Sequence, residues 1–232
     1  MRWRWAAAAL GGLAVAIAAG DYIQGKRQLA KVQALPLPPT TVGAGLLVIG
    51  DSRVAQWPAD LIPDRGVAVG FPGAAAISIA AVAPQIYART RPRRVVIQAG
   101  FNDASAAAFA FGKEREAIVE AAAKAVTRMA IDARTAGAHD VVILTVAPAI
   151  QPELSRRLLY GGRHDAAVSA MNQQLGKIDV DGVTILDVEP FLRGTTGRLD
   201  PLYKTDSAHW SAAAYRRISQ ALVEVLDARS MD

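Results

Sequence analysis

The sequence predicts an α/β fold, with one central parallel sheet of about five strands between layers of helices. Three observations predict it. Short β-branched runs that stay apolar on consecutive residues recur along the chain, the pattern of strands buried on both faces. Longer Ala-rich stretches with helical spacing separate them, and repeated strand–helix alternation builds a doubly wound sheet with right-handed crossovers. Finally, 232 residues with 52% apolar side chains are enough to bury one sizeable core.

Taken in order, the chain begins with "MRWRWAAAALGGLAVAIAAG", a basic start followed by an apolar run. This is the layout of a signal peptide or an N-terminal membrane anchor, expected over residues 1–23. Trp3 and Trp5 suit a membrane edge. The run is short for a span, which takes about 20 apolar residues. A soluble Ala-rich helix is the plainer alternative. Residues 24–45 follow as a tether, in which Pro36, Pro38 and Pro39 with Gly43 and Gly45 favour an extended spacer over a helix. The leader predicts an exported domain, periplasmic or held at the cytoplasmic membrane, with membrane contact through the N-terminal segment if it is uncleaved.

Residues 46–232 then form the folded domain. Strands are expected at Leu46–Ile49, Val67–Val69, Val95–Ala99, Val141–Val146 and Val183–Leu186, with helices near 74–88, 113–136, 164–177 and 211–228. The formal charge of +5 does not make this domain a nucleic-acid binder. Residues 1–33 carry +4 of it, which leaves a nearly neutral body without a footprint for a phosphate backbone. With no cysteine there is no disulfide and no thiolate metal site, and no metal-ligand cluster or phosphate-cradling loop stands out. No metal or cofactor is expected.

Ligands of a parallel sheet bind beyond the carboxyl ends of its strands. Four segments fall there: "GDS" after the first strand, "GFPGA" after the second, "GFND" after the third, and "DSAHW" before the last helix. Together they hold the parts of a serine nucleophile site. Ser52 starts a helix, where its backbone N–H is free and the dipole favours negative charge. His209 is the best base, and Asp206, three residues earlier, can hold one imidazole nitrogen and fix the tautomer. Gly73 lets its N–H approach a bound carbonyl, and Asn102 offers an amide donor to the same oxygen. Plainer roles exist for each. Serine is a frequent helix N-cap, and a histidine before a helix is often just solvated. Of the other two histidines, His139 falls at the wrong end of the sheet and His164 in the 148–165 connection. Asp51 and Asp103 suit turn and loop hydrogen bonds. Trp57, Trp210 and Tyr203 either line the pocket or pack against helices. Arg156, Arg157 and Arg163 belong to a basic connection that is either a lid or a solvated loop.

These blocks, in this order, resemble the SGNH hydrolases, a branch of the GDSL esterases and lipases. The resemblance runs from about Leu46 to Leu226 and rests on "GDS" with Ser52, a glycine block with Gly73, "GFND" with Asn102, and "DSAH" with His209. It implies a flavodoxin-like three-layer α/β/α sandwich, a triad of Ser52, His209 and Asp206, and an oxyanion hole from Ser52, Gly73 and Asn102. Gly70 is a rival to Gly73. This chain departs from the family at Arg53, where a small or hydroxyl residue is common. Arg53 and Trp210 are expected to touch substrate. The expected activity is hydrolysis of an acetyl or other acyl ester of a small molecule, carbohydrate or lipid. Two alternatives are an O-acyltransferase acting on an envelope glycan and a non-catalytic tethered binding module.

Overall fold

The computed structural model describes residues 45–149, 162–196 and 199–229. The leader and nearly all of the tether, and with them Arg156 and Arg157, lie outside the described residues. Within them, no helix is long and apolar enough to cross a membrane.

Five strands, β1 (Leu46–Gly50), β2 (Val67–Gly70), β3 (Arg94–Gln98), β4 (Asp140–Leu144) and β5 (Val183–Leu186), pair in the order β2-β1-β3-β4-β5, every pair parallel. The sheet is therefore the doubly wound one expected, and its order is that of the flavodoxin-like class. β1 is fully buried, which is why its sequence, LLVIG, is apolar without alternation.

Six α-helices lie among the described residues: α1 (Ser52–Ala55), α2 (Ala76–Thr90), α3 (Phe101–Ala107), α4 (Lys113–Thr135), α5 (Arg163–Leu175) and α6 (Ala212–Arg229). Side chains of a strand alternate between faces. Leu46, Val48, Val96, Val142 and Leu144 pack on one face with Trp57, Tyr215, Ile218, Leu222 and Leu226 around α6. Helices α2, α4 and α5 form the layer opposite, where α4 buries Val119, Ala122, Ala123, Val126, Met129, Ala130 and Ala133. That set repeats at three and four residues, the stripe of a helix with one face on a core.

Of the two short helices, α1 begins at Ser52, where a helix start was expected, whereas α3 was not expected from sequence. α1 spans four residues and α3 seven, too few to show a period. α3 also starts at Gly100 in the left-handed region (φ 112°) with no side-chain cap. The longer elements match expectation to within two residues at each end, the usual ambiguity of helix and strand termini.

The crossover at the sheet's switch point determines where a site can form. From β1 the chain moves outward to β2, then returns past β1 to β3. Connections leave the carboxyl ends of β1 and β3 in opposite directions, which opens a crevice between them. Ser52 directly follows β1, and Asn102 lies four residues beyond β3.

Candidate active site

Asp51, not Ser52, is the N-cap of α1. Its carboxylate accepts the Arg53 N–H at 2.9 Å, so the helix start is satisfied by the preceding residue. Ser52 is the first helical residue, and its hydroxyl is free to meet another segment. It lies 3.0 Å from His209 Nε2, across 157 residues of chain. His209 Nδ1 is 2.7 Å from Asp206 Oδ2. The second Asp206 oxygen accepts the Ala208 N–H at 2.7 Å and the His209 N–H at 2.9 Å. Residues 205–210 are thus a tight turn wound on one carboxylate, closed by the Thr205 N–H on the His209 carbonyl (3.0 Å) and the Lys204–Trp210 bridge.

Partial burial raises the Asp206 pKa, but donation from the His209 ring and from two backbone N–H groups outweighs it and holds the carboxyl down at about 2. Asp206 is accordingly ionised at any pH near neutral. It favours the tautomer with the proton on Nδ1, which leaves Nε2 as an acceptor for the Ser52 hydroxyl.

Three segments present the N–H groups expected to serve a developing oxyanion. Among the described residues neither the Ser52 N–H nor the Gly73 N–H has a protein acceptor. Asn102 Nδ2 donates to the Ala74 carbonyl at 2.9 Å, which ties the "GFND" segment to the glycine block and leaves the second amide hydrogen available. The two candidate glycines differ physically. Gly73 sits at φ +73° beside open space, while a Cβ on Gly70 would meet Ala55 N at 2.0 Å and Ala55 Cα at 2.4 Å. Gly70 is needed so that β2 can press against the nucleophile turn. Gly70→Ala is therefore expected to cost about 3 kcal/mol, as overpacking does, and to lower Tm by roughly 6–12 °C in a chain of this size; thermal unfolding checks it.

Asp103 is 8% exposed and accepts the Ala76 N–H at 3.0 Å, which caps α2 from another segment because Ala75 has no side chain to do so. Burial pushes its carboxyl up from 3.8 to about 6. A carboxyl raised in the folded state gives stability that is complete below its unfolded pKa and lost as pH rises to the folded one. Between pH 4 and 7 this group should cost the fold about 2 kcal/mol. Asp103→Asn is expected to flatten that part of the stability–pH curve, as urea melts at both pH values would read out.

Arg53 and Trp210 are not where a substrate-facing role needs them. They are 1% and 2% exposed, respectively. The reason is packing: the Arg53 guanidinium lies over the Phe101 and Trp210 rings and donates to two backbone carbonyls, while Trp210 packs edge-on to Trp57 and Tyr215. Trp57 and Tyr203 are core residues as well. His164 is buried against Phe101 and Ser105 Oγ, apart from the Ser52–His209 pair. A cavity of about 710 Å³ lies past the ends of β4 and β5, lined by Thr145, Asn172, Asp187 and Arg193 among others. It is not lined by Ser52, Asp206, His209, Gly73 or Asn102, so it is not the centre of the chemistry.

Comparison with known proteins agrees with this fold. The GDSL-like Lipase/Acylhydrolase family matches residues 40–217. Among solved structures, a GDSL-like lipase from Bacteroides thetaiotaomicron aligns with a TM-score of 0.63 at 18% identity, covering 88% of this chain and 98% of that one. A carbohydrate acetylesterase from Sinorhizobium meliloti aligns at 0.60 and 16% identity, covering 81% and 99%. A catalytic mutant of an acetylxylan esterase from Geobacillus stearothermophilus aligns at 0.55 and 17%, covering 79% and 95%. At such identities the likeness is one of fold. No curated protein sequence matches this chain at a significant level. The family match covers most of the chain and spans all four sequence blocks, and on that ground the chain belongs to the GDSL-like lipase/acylhydrolase family and is an SGNH serine hydrolase of carboxylic esters.

Proposed function

We propose that this enzyme cleaves acetyl or other short acyl esters of carbohydrates through an acyl-enzyme formed on Ser52. The observation that carries the proposal is the unbroken chain of contacts from Asp206 Oδ2 to His209 Nδ1 (2.7 Å) and from His209 Nε2 to Ser52 Oγ (3.0 Å). Ser52 Oγ attacks the ester carbonyl as His209 Nε2 takes its proton, and the carbonyl oxygen becomes an oxyanion. The Ser52 and Gly73 N–H groups and the Asn102 amide receive that charge. His209 then returns the proton to the leaving alkoxide. A water activated by the same imidazole attacks the acyl-enzyme, and the acid product leaves with Ser52 restored. Asp206 keeps its charge throughout and stabilises the imidazolium.

Two neighbours of the same fold are named for carbohydrate acetyl esters, which supports a carbohydrate as the alcohol part. The leader expected at residues 1–23 supports an exported enzyme, and envelope glycans would suit that location. p-Nitrophenyl acetate, butyrate and octanoate assayed beside an acetylated xylo-oligosaccharide test the proposal. The acetyl esters are expected to turn over fastest, and exclusive turnover of the long-chain ester would sink the carbohydrate reading. Adding free glycan to the same assay separates hydrolysis from acyl transfer, because a transferase passes the acyl group to the sugar in preference to water. Asn102→Ala is expected to lower kcat about 10²–10³-fold, the range for losing one oxyanion donor, while KM stays near that of the parent. An unchanged kcat would remove Asn102 from the oxyanion hole.

A further inference from the structure

Arg53 follows the nucleophile directly, yet the structure turns it inward. Its Nε donates to the Ala208 carbonyl at 2.9 Å and its Nη1 to the Ala147 carbonyl at 3.1 Å. The guanidinium carbon is 4.0 Å from the centre of the Phe101 ring and 4.7 Å from that of Trp210. Its own carbonyl accepts from Tyr215 Oη at 2.6 Å. Apart from the Ala147 carbonyl and Tyr215, each contact is one step from a group assigned to the chemistry. Ser52 precedes Arg53, Phe101 precedes Asn102, and Ala208 and Trp210 flank His209.

The Ala208 carbonyl carries particular weight. It belongs to the peptide whose N–H is that of His209, and Asp206 holds that N–H at 2.9 Å. One peptide plane is therefore gripped at both ends, by a carboxylate on its N–H and by a guanidinium on its C=O. The guanidinium is anchored in the nucleophile turn, so the grip links the base loop to the nucleophile by a route separate from the Ser52–His209 hydrogen bond. Burying a cation is an expensive way to fill space. A well-packed apolar side chain commonly serves stability equally well or better, and this one is neither exposed to substrate nor placed to move a proton.

We propose that Arg53 is a positioning residue for ester cleavage: by clamping the Ala208–His209 peptide to the nucleophile turn, it sets the separation of His209 Nε2 from Ser52 Oγ. A planar fork stacked between two rings can serve two carbonyls at once, which a lysine ammonium at that site cannot match. A displacement of about 1 Å between reacting groups costs on the order of 100-fold in rate. The inference rests on the serine-triad reading above.

The test uses the full chain and the variants Arg53→Lys and Arg53→Met, each checked for folding by circular dichroism and thermal melting. For each, kcat and KM for p-nitrophenyl acetate are measured, together with the rate of phosphonylation by a fluorophosphonate probe. Arg53→Lys is expected to fold, to lose about 100-fold in kcat with KM changed less than threefold, and to lose phosphonylation rate in the same proportion. Arg53→Met is expected to lose at least as much. A folded Arg53→Lys with kcat within threefold of the parent overturns the proposal, as does a lower Tm with unchanged kcat per folded molecule. Failure of both variants to fold makes Arg53 a structural residue and overturns it too. A parent protein that is not labelled at Ser52 fails the triad reading itself, whereas a labelled parent beside a fully active Arg53→Lys fails this inference alone.

Discussion

Ser52→Ala is expected to lower kcat for p-nitrophenyl acetate about 10⁶-fold, the loss seen when a triad nucleophile is removed, and to abolish covalent labelling by a fluorophosphonate. The size of the effect follows from the geometry. The Ser52 hydroxyl is the only nucleophile among the described residues within hydrogen-bond distance of His209 Nε2, and alanine leaves that nitrogen with no proton to take. Stability should change little, because α1 is capped by Asp51 and Ser52 contributes no cap bond. Residual catalysis of about 10³–10⁴ over water is expected to survive, since the oxyanion donors still bind the ester. Labelling at a different serine, or activity within tenfold of the parent, would assign the nucleophile elsewhere. Ser105, 3.3 Å from His164, is the first place to look.

How much of this site the sequence made legible varied with the range of the interaction. Strand positions could be read because each strand carries a continuous apolar run, and the helices could be read wherever an apolar stripe was long enough to repeat. The Ser52–His209 pairing was legible only through the order of four short blocks, since nothing local ties residue 52 to residue 209. Arg53 was misplaced for a physical reason. Beside a nucleophile, a charged side chain reads as a substrate contact unless its partners are known, and here they are two carbonyl oxygens and two rings from distant segments. Backbone carbonyls leave no mark in a sequence. Trp210 was misjudged for a related reason, because its neighbours Trp57 and Tyr215 come from opposite ends of the domain. The close approach of Ala55 to Gly70 likewise leaves no mark in a glycine pattern.

Asp206→Asn is expected to lower kcat about 10⁴-fold with the fold intact, the scale of losing the right histidine tautomer. Asp206 Oδ1 accepts two backbone N–H groups, at 2.7 and 2.9 Å, and an asparagine oxygen placed there keeps both. Its amide nitrogen then faces His209 Nδ1 where Oδ2 now stands at 2.7 Å. A donor in that place makes Nδ1 the acceptor and moves the ring proton to Nε2, the nitrogen that must accept from Ser52. The turn survives and the base is disabled. Since the parent carboxyl is held at about 2, it stays ionised across any practical assay range, and an acid limb of the parent's pH–rate profile cannot be its protonation. Linkage gives the companion effect on stability. A carboxyl depressed in the folded state contributes stability that is present above its unfolded pKa of 3.8 and is lost as pH falls through about 2. Asp206→Asn should therefore abolish that acid-side loss and lower the melting temperature modestly near neutral pH, where the carboxylate's contribution is present in the parent. A variant with kcat within tenfold of the parent would show that His209 is oriented by something other than this carboxylate, and the hydrogen bond from Arg53 to the Ala208 carbonyl is another restraint on the same peptide.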